Sequence, residues 1–187
     1  MSDHQPDLPP ATQPNTLLKG VNVYLIGMMG SGKSTIGKIL AQKLNYRFFD
    51  TDVLIEKVAQ RTIPEIFATE GESYFRDLES RVLRELSAYT HSTIATGGGI
   101  IQKTVNWSCL RQGLIVWIDA DIEVLQERVA KDTNRPLASK LQSLLAKRRS
   151  LYAQADLKVK SNQVKTPEQV AIEIIQQIPN KLLSHKN

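Results

Sequence analysis

From Val21 onward, short apolar runs alternate with stretches in which apolar residues recur every three or four positions. Val21 to Gly27 (VNVYLIG) is a near-continuous apolar run closed by glycine, the pattern of a buried strand. Lys33 to Leu44 follows as a helix, with Ile36, Ile39, Leu40 and Leu44 on one face. Tyr46 to Phe49 predicts a second strand ending at Asp50. Thr51 to Ala59 and Ile63 to Thr69 predict short helices, the second with Pro64 at an early position. Glu72 to Ala88 predicts a longer helix that aligns Phe75, Leu78, Val82, Leu83 and Leu86. Ser92 to Thr96 is strand-like and runs into Gly97, Gly98 and Gly99. Thr104 to Gln112 follows as a helix, then Gly113 to Ile118 as a buried strand closed by Asp119. Ile122 to Lys131 is helical, Asp132 to Ser139 is a polar loop, and Lys140 to Gln154 is helical again. Leu157 to Lys160 alternates enough to sit at a sheet edge. Thr166, as N-cap, and Pro167, at N1, open the last helix. Five strands alternating with helices predict an α/β fold, a parallel sheet covered on both faces.

Residues 1 to 19 break this pattern. They hold four of the eight prolines and few large apolar residues, so they cannot bury enough surface to offset ordering entropy. The expectation is a disordered tail at 1–19, one domain at 20–180 and a frayed end at 181–187. The tail has no apolar core like a secretory signal, and its acidic residues and lack of Arg argue against a transit peptide. No apolar run approaches the roughly 20 residues needed to cross a bilayer. A cytoplasmic protein without membrane partners is expected.

Composition narrows the class. The 187 residues are 41% hydrophobic and 23% charged, which excludes collagen-like, mucin-like and wholly disordered chains. The single Cys109 excludes an intramolecular disulfide and a cysteine-rich zinc site. The net charge of +5 suits a small anionic ligand. No long Lys/Arg run is present, so nucleic acid is not an expected partner. His4, His91 and His185 are scattered and give no catalytic histidine. Cys109, Trp107 and Trp117 are expected in the core, and no apolar stripe is left over, which favours a monomer.

The sharpest motif is Gly27-Met28-Met29-Gly30-Ser31-Gly32-Lys33-Ser34, followed by Thr35. It fits G-x-x-x-x-G-K-[ST], with a strand before it and a helix after it. Glycines at Gly30 and Gly32 let successive N–H groups turn inward at phosphate oxygens around Ser31. The helix opening at Lys33 adds its positive dipole end. Lys33 supplies charge to the β- and γ-phosphates, and the Ser34 hydroxyl can ligate Mg²⁺. No Asn-Lys-x-Asp guanine-reading motif is present, and the size fits a small-molecule kinase.

The acceptor side is less sharply written. Asp50 and Asp52 follow the second strand, and ligands in open α/β sheets bind beyond the carboxyl ends of strands. One carboxylate can hold the metal's water shell and the other can orient or deprotonate an acceptor hydroxyl; the alternative is an N-cap pair for the next helix. Arg76 and Glu79, three apart on the long helix, form either a surface ion pair or a grip on an anionic substrate with Glu79 fixing the arginine. Gly97, Gly98 and Gly99 permit close backbone approach to a ligand. Arg135, in the polar loop, can close over the transferring phosphate. Among Lys147, Arg148 and Arg149, at least one can turn into the crevice.

Together GMMGSGKST, FFDTDVLIE, IFATEGESYFRDLE, IATGGGII, NRPL and KRRSLYAQAD resemble the shikimate kinase family of the nucleoside monophosphate kinase-like P-loop group, over roughly residues 20 to 180. The resemblance implies a three-layer P-loop kinase fold with strand order 2-3-1-4-5. It also implies a substrate-binding helical region near 51–90 and a lid near 132–140. It implies that Asp52 binds the shikimate hydroxyls, that Arg76 and Arg148 hold the carboxylate, and that Gly98 offers its N–H, with Gly97 and Gly99 beside it. Ser34 would ligate Mg²⁺, with Asp50 acting through water. Arg135 would be the lid arginine, Arg128 would flank adenine, and Ser161 to Pro167, with Lys165, would form the adenine loop. The lid departs from the family pattern: RPLA runs directly into Lys140-Leu141-Gln142, several residues short, with Ala138 in place of the usual Leu.

The expectation is therefore an ATP- and Mg²⁺-dependent kinase acting on the 3-hydroxyl of shikimate, with Lys33, Asp52 and Arg135 at the chemistry. A kinase for another polyol acid such as gluconate, or a nucleotide-binding regulator that has lost transfer, are the alternatives. Loss of Lys33, Asp52 or an acceptor-side arginine would mark the regulator, and all are present.

Overall fold

The structure, a computed structural model, describes residues 18–130 and 141–184, with side chains as far as residue 179. The expected lid, with Arg135, and most of the expected tail lie outside the described residues.

Five parallel strands form one sheet in the order β2-β3-β1-β4-β5. They are β1 (Val23–Ile26), β2 (Arg47–Asp50), β3 (Ser92–Ala95), β4 (Leu114–Ala120) and β5 (Leu157–Ser161). The helices are α1 (Lys33–Leu44), α2 (Thr51–Ala59), α3 (Ile63–Thr69), α4 (Gly71–Ser87), α5 (Thr104–Leu110), α6 (Ile122–Ala130), α7 (Leu141–Tyr152) and α8 (Pro167–Ser184). Among the described residues no helix is long and apolar enough to cross a membrane.

Because successive strand side chains point to opposite faces, β1 and β4 each feed two cores. Val23, Leu25, Val116 and Ile118 pack with Ile36 and Leu40 of α1 and Val170, Ile174 and Ile178 of α8. Tyr24, Ile26, Ile115 and Trp117 pack with the α4 stripe Phe75, Leu78, Val82, Leu83 and Leu86, and with Trp107 and Cys109 of α5. β5 alternates buried and exposed positions, as an edge strand should.

Three details depart from the sequence reading. β4 runs past Asp119 to Ala120. Asp119 is buried there, with Lys158 and Lys160 each 3.1 Å from its Oδ2, and this pairing lets the strand continue through a carboxylate. A 3₁₀ turn, Ile100–Gln102, follows the three glycines. Leu18, assigned to the tail, is 1% exposed and packs in the α1/α8 core.

Candidate active site

In a parallel sheet all carboxyl ends of the strands share one edge. β3 lies between β2 and β1, so the segment after β3 sits between the segments that follow the other two. The turn carrying Gly97 to Gly99 is thereby set between the Asp50/Asp52 pair and the loop from Gly27 to Lys33. A cleft of about 190 Å³ is lined at once by Met29, Gly30, Gly32, Lys33, Ser34, Thr35, Asp50, Asp52, Thr96 and Gly98.

The loop has the backbone its glycines allow. Gly30 and Gly32 adopt φ of 79° and 95°, a left-handed region that costs other residues strain. Gly32 is the N-cap of α1, so the positive end of the helix opens on the cleft. Lys33 curls back over the loop, donating to Gly27 O and Met28 O, both at 2.8 Å. Ser31 is buried beneath it.

Asp50 is the N-cap of the next helix and also meets Ser34. Its Oδ1 accepts the Asp52 N–H at 3.0 Å and caps α2. Its Oδ2 accepts the Ser34 hydroxyl at 2.5 Å. A hydroxyl and a carboxylate together at the cleft are hard oxygen donors that suit Mg²⁺, which keeps most of its shell for water and phosphate.

The three glycines leave room for charged side chains. A Cβ on Gly97 would stand 2.5 Å from Glu79 Oε1 and 2.8 Å from Asp52 Oδ1, and one on Gly99 would strike the Arg76 guanidinium. The Gly97 N–H donates to Thr51 Oγ1 at 2.9 Å, so this residue contributes space rather than a free donor. Gly98 lies against the P-loop backbone, its added Cβ 3.2 Å from Met29 N.

Arg76 donates from one arm to Glu79 at 2.9 Å and from the other to Glu72 at 3.1 Å. Burial opposes its charge, but the two glutamates outweigh that and raise its pKa. Glu79 is fully buried, and burial raises its carboxyl above the usual range although Arg76 pulls it back. The surface-pair reading of Arg76–Glu79 therefore gives way to an internal one. Of the Lys147–Arg149 triplet only Arg148 turns inward; its Nη1 donates to Gly98 O at 3.3 Å.

A second recess, of about 270 Å³, is lined by Gly32, Thr35, Ile36, Arg128, Ser161, Lys165 and Pro167. It joins the first through Gly32 and Thr35. Arg128 donates to Gly30 O at 3.1 Å. Lys165 pairs with Glu173 at 2.6 Å, and Asn162 Oδ1 accepts the N–H groups of Val164 and Lys165, which shapes the loop. Of the expected site residues within the described residues, Gly30, Gly32, Lys33, Ser34, Thr35, Asp50, Asp52, Gly98, Arg128 and Lys165 line these recesses, while Arg76 and Arg148 line neither and stand against Gly99 and Gly98. Arg135 lies outside the described residues.

The sequence reading missed Tyr152. Its hydroxyl donates to Gly98 O at 2.6 Å, and its ring stacks on Trp117 at 5.8 Å. The available signal was spacing: Tyr152 is one turn beyond Arg148 and shares its face.

The chain is similar to known proteins over most of its length. The family model for shikimate kinase matches residues 29–179. A shikimate kinase of Rippkaea orientalis is 56% identical over 169 residues, 87% of this chain and 90% of that protein. One of Trichormus variabilis is 52% identical over 174 residues, 90% of this chain and 96% of that one. Among solved structures, the shikimate kinase of Acinetobacter baumannii in complex with shikimate superposes with a TM-score of 0.84 at 36% identity, covering 89% of this chain and 97% of the other.

Proposed function

The chain belongs to the shikimate kinase family and is a kinase, and from that premise we propose that it transfers the γ-phosphate of ATP to the 3-hydroxyl of shikimate. The observation that carries the reading is the single cleft lined both by the P-loop, Gly30 to Thr35, and by Asp50, Asp52 and Gly98. Donor and acceptor groups thus open on one space, as in-line transfer requires.

The proposed roles rest on the positions of the described residues and, for Arg135, on the resemblance alone. The adenosine end takes the recess of Arg128, Ser161, Lys165 and Pro167. The phosphates take the P-loop, where Lys33 exchanges its loop carbonyls for phosphate oxygens. Ser34 and Asp50 would hold Mg²⁺, which supplies positive charge to the phosphates. Asp52 orients the acceptor hydroxyl and receives its proton. Arg76, fixed by Glu79, and Arg148 hold the acceptor carboxylate, a task suited to the planar guanidinium fork. Arg135 joins the phosphates as the charge shifts. Little covalent chemistry is asked of the protein, so positioning carries most of the acceleration.

The test is ADP release with Mg-ATP, comparing shikimate, gluconate and no acceptor, with Lys33→Ala as the blank. Release that depends on shikimate and falls about a hundredfold or more in the blank is expected. No release with any acceptor, from folded protein that binds ATP, would overturn the reading.

A further inference from the structure

A turn of three glycines has little shape of its own, yet every carbonyl in this one is held. Gly97 O accepts the Ile100 N–H at 3.2 Å, and Gly99 O accepts the Gln102 N–H at 3.0 Å. Both bonds arise within the turn. Gly98 O is held from outside it, by the Tyr152 hydroxyl at 2.6 Å and by Arg148 at 3.3 Å.

We propose that Tyr152 is a positioning residue for the acceptor: its hydroxyl locks the Gly98–Gly99 peptide and so fixes the shape of the glycine turn against which the acceptor is seated. The peptide is planar and trans, so holding the Gly98 carbonyl toward α7 sets the Gly99 N–H in the opposite direction. Without that hold, glycine on both sides leaves the peptide free to rotate. Gly98 also abuts the P-loop at Met29, so rotation would disturb the gap between the two loops.

Tyr152 is built for a permanent hold. It has no exposed surface. Its ring is pinned by the stack on Trp117, and Met28 Sδ lies 3.6 Å from the hydroxyl. Burial pushes the hydroxyl up to about 12, so it remains a donor across any working pH. Arg148 is a different kind of partner. In the function proposed above it turns to the acceptor carboxylate, and Tyr152 is then the side chain left on Gly98 O. The inference rests on that acceptor reading of Arg148 and Gly98.

The experiment is steady-state kinetics on wild type, Tyr152→Phe and Tyr152→Leu, with thermal melting of each. Phenylalanine keeps the ring on Trp117 and removes only the hydroxyl. The expected result for Tyr152→Phe is a shikimate KM raised about tenfold, the value of one buried hydrogen bond. Its kcat and ATP KM should stay within about twofold of wild type on that scale. A shikimate KM equal to wild type in Tyr152→Phe, with a loss only in Tyr152→Leu, makes the ring a core element and overturns the inference while the kinase reading stands. An equal rise in both KM values, accompanied by a lower melting temperature, shows a merely structural role and also overturns it. A wild type that neither binds nor phosphorylates shikimate removes the acceptor reading, and the inference falls with it.

Discussion

Arg76 donates to Glu79 over 2.9 Å, and the Glu79 side chain has no solvent-exposed surface. This pair differs in kind from the other arm of Arg76, whose partner Glu72 is 63% exposed and contributes at most about 1 kcal/mol. Removing Glu79 strands the charge of an Arg76 side chain that is only 12% exposed. Glu79→Ala should therefore lose about 3–5 kcal/mol of stability, read by urea denaturation. Glu79→Gln, which keeps an acceptor oxygen for Arg76, should lose clearly less. Equal losses would show that packing rather than the ion pair matters there.

The same carboxyl makes stability depend on pH. Burial first, and the neighbouring Asp52 charge in addition, raise the Glu79 pKa above its ordinary value, with Arg76 acting against them. A carboxyl with a raised folded-state pKa binds protons more tightly in the folded state. Its stabilising contribution is complete below the unfolded value of about 4.3 and is lost as pH rises through the folded one. The stability of wild type relative to Glu79→Gln should therefore fall as pH rises above about 4.3. A difference that grows over that range would mean that Arg76 dominates burial.

Gly99 is the position where the guanidinium of Arg76 crosses the acceptor turn. A methyl group there would meet three atoms of that guanidinium. Gly99→Ala should displace Arg76 from the acceptor while leaving the P-loop untouched. The expected outcome is a rise of about tenfold or more in shikimate KM, the scale of one charge-assisted contact, with ATP KM unchanged. A parallel rise in ATP KM would show that the turn and the P-loop move together.

Asp50 permits a clean separation of fold from metal. Asn is as good an N-cap as Asp, so Asp50→Asn should keep α2 and melt within a few degrees of wild type. It removes the anionic oxygen that sits 2.5 Å from the Ser34 hydroxyl. The Mg²⁺ concentration needed for half-maximal activity should rise, by about tenfold if one ionic ligand contact is lost. An unchanged Mg²⁺ requirement would leave Asp50 as a cap alone.

Much of this was legible along the chain, for identifiable reasons. Helix α1 runs between Gly32 and Asn45, α2 opens on the Asp50 cap, and α3 opens on the Thr62 capping box with Pro64 in its first turn, because these signals are local. Thr166 and Gln169 likewise exchange the reciprocal bonds of a capping box, at 2.8 and 3.2 Å. The phosphate loop was legible because its motif is contiguous. From the residues alone Arg148 is one of three basic residues, and only the resemblance singles it out, since the packing of α7 decides which of Lys147, Arg148 and Arg149 turns inward. Tyr152 was missed because its partner, Gly98, lies 54 residues away. Asp119 was read as the end of a strand because a carboxylate inside β4 needs lysines from β5, and strand pairing is not written locally.

Leu18 was hidden by its neighbours, since the prolines before it set the composition of the whole segment. In the fold it is 1% exposed and packs with Val23, Leu114 and Ile178 in the core beneath α8. A turn follows it in which the Val21 N–H donates to Leu18 O at 3.0 Å, with Lys19 and Gly20 at φ of 49° and 82°. The His91 N–H then donates to Gly20 O at 2.7 Å, which ties the turn to the start of β3. Leu18 is thus held at the amino end of the sheet, opposite the cleft. Leu18→Ala should remove about 2–5 kcal/mol, as buried leucines do, and lower Tm by roughly 5–15 °C for a chain of this size. Its kcat and KM, measured well below the melting range, should match wild type. A chain cut to begin at Gly20 should melt below one cut to begin at Leu18 by the same margin; equal Tm values for the two cuts would refute the anchoring role.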